Sequence, residues 1–204
     1  MSIINNDKGD DRGMFVISLD FELLWGVWDV TTMEKYGDNI KGVRRVIPRL
    51  LDLFGRYGIK VTFSTVGFLF AKNKDELFSS LPDIKPGYSN HAYDVYTREL
   101  NAIGTDETDD PYHFCYSLFE QVKQSHHEIG THTFSHYFCL EDGQNEMEFD
   151  ADIKAAISIA ETKGIKLNSI VFPRNQINPE YLTVLKNNHI TVYRGSPSSW
   201  IYKP

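Results

Sequence analysis

The chain has 204 residues, 41% hydrophobic and 24% charged, enough for one domain with a sizeable core. Its formal net charge is −7, and no block of Lys and Arg could track phosphates, so nucleic acid is not an expected partner. No apolar run approaches the ~18 residues that a membrane span needs.

The first 13 residues, "MSIINNDKGDDRG", are polar and contain no apolar segment of signal-peptide type. They read as a flexible leader to a single domain over 14–204, in a chain expected in the cytoplasm. "MFVISLDF" (14–21) is a short β-favouring run ending in a carboxylate, as suits a buried strand. Val43, Val46, Ile47, Leu50, Leu51, Phe54 and Tyr57 then recur at helical spacing. Pro48 must kink this helix or lie in its first turn, and Gly58 closes it. "IKVTFSTV" (59–66) is the second strand.

Residues 82–111 are rich in Pro, Gly, Asn and Asp and read as one long loop, a length that is often functional. Asp110 is expected to cap a helix with Pro111 at its first position. "HEIGTH" (127–132) makes a third strand. Phe149, Ile153, Ala156, Ile157 and Ala160 mark another helix, stopped by Gly164. "NSIVFP" (168–173) is a fourth strand, "NPEYLTVLKNN" a helix capped by Asn178, and "ITVYRG" a fifth strand. Cys115 and Cys139 form no C-x-x-C pair and are expected to be reduced and buried.

Alternating strands and helices imply an α/β fold with parallel strands, as an open sheet or a barrel. In such folds the carboxyl ends of strands face a common crevice that holds the active site. Asp20 and Glu22 end the first strand, His132 and His136 follow the third, and Arg174 follows the fourth with Asn175 and Gln176. His132 and His136 are four residues apart, which would put both imidazoles on one side of a helical turn to share a cation. A carboxylate inside "FVISLDFELLWGVW" needs a cationic partner, which a metal, Arg174 or both would supply. Plainer readings stand beside these: a polar turn for the histidines, a loop cap for Asp20, a surface ion pair for Arg174. Trp25, Trp28 and Tyr93 fit either sugar stacking or the core. His127 and Glu128 read as structural, and the acidic run 141–152 as a solvated loop and helix start.

These motifs resemble the polysaccharide deacetylase (NodB-homology) family over about residues 14–200. "HEIGTHTFSH" is similar to its second motif, in which a histidine pair binds a divalent metal. "SLDFE" is similar to its first, and "FPRNQ" to a variant of its third. The resemblance implies a distorted parallel β/α barrel and hydrolysis of the N-acetyl group of a sugar or polysaccharide. It assigns the catalytic base to Asp20, orientation of that base to Arg174, and a divalent metal, with zinc preferred, to Glu22, His132 and His136. Phe21 separates Asp20 from Glu22 where the family has adjacent aspartates. Asn175 follows Arg174 where the family has an aromatic residue. Metal-free hydrolysis of a cyclic amide and non-catalytic saccharide binding are alternatives on the same residues. The chain has no Leu-His pair for the family's general acid and ends at "SSWIYKP" after its fifth strand, so an incomplete barrel is expected. Its exposed strand edge would favour homo-oligomers.

Overall fold

A computed structural model describes residues 15–195; the expected leader and the closing "SSWIYKP" lie outside the described residues. Among the described residues five parallel strands pair in chain order: β1 (Ser18–Phe21), β2 (Thr62–Thr65), β3 (Glu128–Thr131), β4 (Ser169–Ile170) and β5 (Val192–Tyr193). Between them run α1 (Met33–Tyr57), α2 (Lys74–Ser79), α3 (Val95–Arg98), α4 (Tyr116–Gln124), α5 (Glu146–Thr162) and α6 (Leu182–Asn187). The α/β class expected from the alternation is therefore the observed one.

The period-2 alternation of the strands separates two faces. Leu19, Phe21 and Phe63 pack into the helix-covered core, where Phe21 and Phe63 meet edge-on at 6.3 Å between ring centroids. The other face is polar. Ser18 aligns with Thr62 and Thr62 with Glu128. The Glu128 carboxylate accepts from Thr62 Oγ1 and, at 2.7 Å, from Ser169 Oγ, tying three strands together. A second, smaller core forms around Phe149, Phe172 and Tyr181, with Phe149 and Tyr181 stacked at 5.0 Å.

β1 and β5 are the sheet edges, but the sheet curls enough for their carboxyl ends to meet. Arg194, directly after β5, donates to Ser18 Oγ (3.1 Å) and to the Asp20 carboxylate on β1. Among the described residues no strand pairing closes β1 onto β5.

Two local expectations change. α1 begins at Met33, ten residues before the apolar periodicity, so Pro48 lies well inside a 25-residue helix. Its first turns are mostly exposed, with Gly37 and Ile40 buried, and so carry little apolar signal. α4 starts at Tyr116, not Asp110. The Asp110 carboxylate instead accepts from the backbone of Gly104, Tyr112 and His113 and pairs with His113 Nδ1 at 2.7 Å. The segment 82–111 is largely irregular as expected, although it contains α3.

Candidate metal centre and active site

Glu22 follows the last residue of β1. The chain then turns at Leu23 (φ 50°) into a 3-10 helix, Leu23–Gly26. The Glu22 side chain folds back over Gly26, where an added Cβ would lie 1.9 Å from its Cδ. Only glycine leaves room for that carboxylate. His132 follows β3 directly, and its Nδ1 lies 2.8 Å from the Val171 carbonyl at the end of β4. Glu22 Oε2 lies 3.2 Å from His132 Nε2 and 3.4 Å from His136 Nε2. One ligand atom from each of the three residues falls within 4.8 Å of the others.

The expectation that a helical turn carries the two histidines is corrected. Residues 132–136 form a loop in which Thr133 (φ 63°) and His136 (φ 58°) are left-handed. The Thr133 hydroxyl accepts the Tyr137 N–H, and the Thr133 and Phe134 carbonyls accept from Gly67 and Phe68. Those external bonds, not helical ones, satisfy the backbone and bring the imidazoles together.

The donor set suits a cation. The Val171 carbonyl can only accept, so His132 carries its proton on Nδ1, and the Nε2 of a neutral imidazole presents a lone pair to a carboxylate oxygen. Two acceptors at this separation need a proton or a metal between them. Burial acts to raise the Glu22 carboxyl, but a proton on the facing Nε2 of His132 or His136, in the place a cation would take, outweighs it and holds the group well below the usual carboxylate range. Burial pushes the His136 imidazole below its usual value despite the Glu22 contact, favouring the neutral form that ligates metals. Two imidazoles and a carboxylate match a catalytic zinc set, and other first-row divalent ions accept the same donors.

Asp20 sits at the carboxyl end of β1, and its carboxylate is gripped by Arg194 through Nη1–Oδ1 (3.1 Å) and Nη2–Oδ2 (3.2 Å). Arg194 also donates to Asn175 Oδ1 at 3.3 Å. Arg174, expected in that role, instead bonds Asp29 at 2.6 Å and lies over the Phe138 ring. The reason is conformational: Arg174 and Asn175 adopt φ of 54° and 53°, which turns the Arg174 side chain toward the 3-10 segment after β1. Arg194 could have been found by the rule that selected Arg174, since it too follows a strand. Trp25 and Trp28 are buried in the core, which removes them as sugar-stacking groups; Tyr93 is half-buried against Phe138.

Leu23, Thr133, His136, Arg174 and Asn175 are all non-glycine residues in the left-handed region, and all lie at the carboxyl ends of β1, β3 and β4. Each such conformation costs on the order of 1–3 kcal/mol, and such strain clusters where geometry serves function. Asp152 was also missed. It belongs to the acidic run read as solvated, but is 1% exposed and bonded to the His132–His136 loop. The helical spacing Phe149, Ile153, Ala156 carried a signal for it, since Asp152 lies on the same inward stripe.

Residues 36–193 match the family model described as polysaccharide deacetylase, and the chain belongs to that family. Asp20 and Glu22 lie upstream of the matched residues, so their placement rests on geometry. The fold is similar to that of a polysaccharide deacetylase candidate from Mycobacterium smegmatis (TM-score 0.53, 12% identity, 86% of this chain and 48% of that one). It is also similar to a mutant of a Bacillus anthracis CE4-family pseudoenzyme with restored enzymatic activity (TM-score 0.51, 11% identity, 90% and 45%). The chain thus spans about half the length of these structures. No curated protein matches it.

Proposed function

We propose that the chain is a divalent-metal-dependent deacetylase that hydrolyses the N-acetyl group of a sugar or polysaccharide. The observation that carries this is the convergence of Glu22, His132 and His136, with Asp20, two residues before Glu22, held by Arg194 near the carboxyl end of β1. The three ligand residues would hold a zinc-like ion, which when bound supplies Lewis-acid polarisation of the acetyl carbonyl and a more acidic water. Asp20 is the general base. Arg194 occupies one side of both its carboxylate oxygens, leaving the remaining lone pairs to accept the proton of the attacking water. As the amide C–N bond breaks, the proton on Asp20 is at hand for the leaving nitrogen, so acetate and a free amine result. The bidentate grip fixes the direction of that lone pair as a single hydrogen bond could not.

The test is acetate release from a panel of N-acetylated mono- and oligosaccharides, with chelator and after zinc is restored. Release that stops with chelator, returns with zinc, and is lost in Asp20→Asn with metal content unchanged is the expected result. Release indifferent to chelator would favour the metal-free reading. Full metal content without release from any saccharide would favour a binding protein.

A further inference from the structure

Asp152 comes from α5, twenty residues after His132, yet its carboxylate is buried beside the loop that carries both histidines. It accepts from Phe134 N (2.6 Å), Ser135 N (3.1 Å) and Ser135 Oγ. All three donors lie between His132 and His136. Among the described residues no Lys, Arg or His forms an ion pair with Asp152. A buried carboxylate without a cation remains costly even when hydrogen-bonded, so its presence here calls for a reason.

The loop's own geometry supplies the need. Its left-handed residues, Thr133 and His136, persist only if the surroundings over-determine them. On one side Gly67 and Phe68 donate to the Thr133 and Phe134 carbonyls (2.9 and 3.1 Å). The approach is so close that a Cβ on Gly67 would lie 2.7 Å from Phe134 Cα. On the other side Asp152 takes the two consecutive N–H groups of Phe134 and Ser135. The carbonyls are thus held by backbone, whereas the N–H groups depend on one side chain from a distant helix.

We infer that Asp152 is a positioning residue of the metal centre: by holding the Phe134 and Ser135 N–H groups it keeps the loop in the conformation that aims His136 at Glu22, and so sets the affinity for a divalent ion. The inference rests on the metal-dependent reading. Groups that orient ligands from outside the coordination sphere typically change metal affinity by ~10–100-fold.

Cobalt(II) is the probe, because its visible absorption reports ligand geometry as well as binding. The metal-free protein is titrated as wild type, Asp152→Asn, Ser135→Ala and Ile153→Val. The last truncates a fully buried residue of the same helix whose side chain can make no hydrogen bond to the loop. Asp152→Asn keeps size but turns an amide N–H against a loop N–H, and is expected to weaken cobalt binding by ~10-fold or more with an altered spectrum. Ser135→Ala should give a smaller loss, and Ile153→Val should lower the unfolding midpoint with affinity and spectrum unchanged. A folded Asp152→Asn with wild-type affinity and spectrum overturns the inference. So does an Ile153→Val that weakens binding as much as Asp152→Asn. If Asp152→Asn does not fold, Ser135→Ala decides, and unchanged affinity there is equally fatal. A wild type that takes up no cobalt would sink the metal-dependent reading itself, which is a different failure.

Discussion

Two guanidinium groups stand at the mouth of the site, and their chemistry differs because their partners differ. Arg194 grips Asp20 with two parallel bonds, a geometry that a lysine ammonium cannot copy. Arg194→Ala is therefore expected to lower kcat substantially with little change in KM, up to the ~10²–10⁴-fold that a general base contributes. Arg194→Lys should not restore it. Arg174→Ala should leave kcat within a few-fold, because Arg174 bonds Asp29 and not Asp20. Steady-state kinetics on the best N-acetyl substrate separates the two, and a larger fall in Arg174→Ala would return the orienting role to Arg174. Asp152 offers a second test at this scale. Burial outweighs its three hydrogen bonds and pushes its carboxyl from the usual 3.8 up to about 6. The folded state then holds a proton that the unfolded chain has already released, so stability falls as pH rises from about 4 to 6 and levels off above. Urea midpoints of metal-free wild type across that window should decline relative to Asp152→Asn, which lacks the titrating group. Parallel curves would contradict the raised value.

At the scale of elements, the site depends on short connectors more than on the helices and strands they join. The turn after β1 works because Gly26 leaves space for the Glu22 carboxylate; an added methyl would occupy the same position. Gly26→Ala should therefore cost most of the metal affinity while the sheet survives, read by zinc content and far-UV circular dichroism. Zinc retained at one equivalent per chain would mean that Glu22 is not a ligand. β1, β2, β4 and β5 were legible in the sequence as β-favouring runs ended by polar groups, and the carboxyl-end rule drew attention to Asp20, Glu22, His132 and His136, which the structure places at or just after the ends of β1 and β3. The loop between the histidines was not legible. Its H-x-x-x-H spacing is helical, but Asp152, Gly67 and Phe68 override it from far along the chain, and no local pattern reports such contacts. That Arg174 pairs with Asp29 and not Asp20 was illegible for the same reason: the left-handed φ that turns it there depends on backbone context.

For the whole molecule, the candidate ligands come from opposite sides of β2, Glu22 from the end of β1 and the histidines from the loop after β3. A bound ion would therefore join segments more than a hundred residues apart in sequence, as Arg194 joins β5 to β1. The Arg194 link is only partly buried, so screening keeps its contribution to stability small, about 1 kcal/mol or less. An ion held by three side chains acts differently, because the unfolded chain cannot present all three together. At ~100 times its Kd a ligand specific to the folded state adds ~2.7 kcal/mol. For a chain of this length that corresponds to a rise in Tm of about 5–11 °C, at ~2–4 °C per kcal/mol. Thermal unfolding with chelator and then with excess zinc should show that rise in wild type. It should be absent in the His132→Ala/His136→Ala double variant, whose remaining carboxylate cannot hold the ion alone. An equal rise in both proteins would place the stabilising ion elsewhere on the chain and remove the thermal argument for this centre.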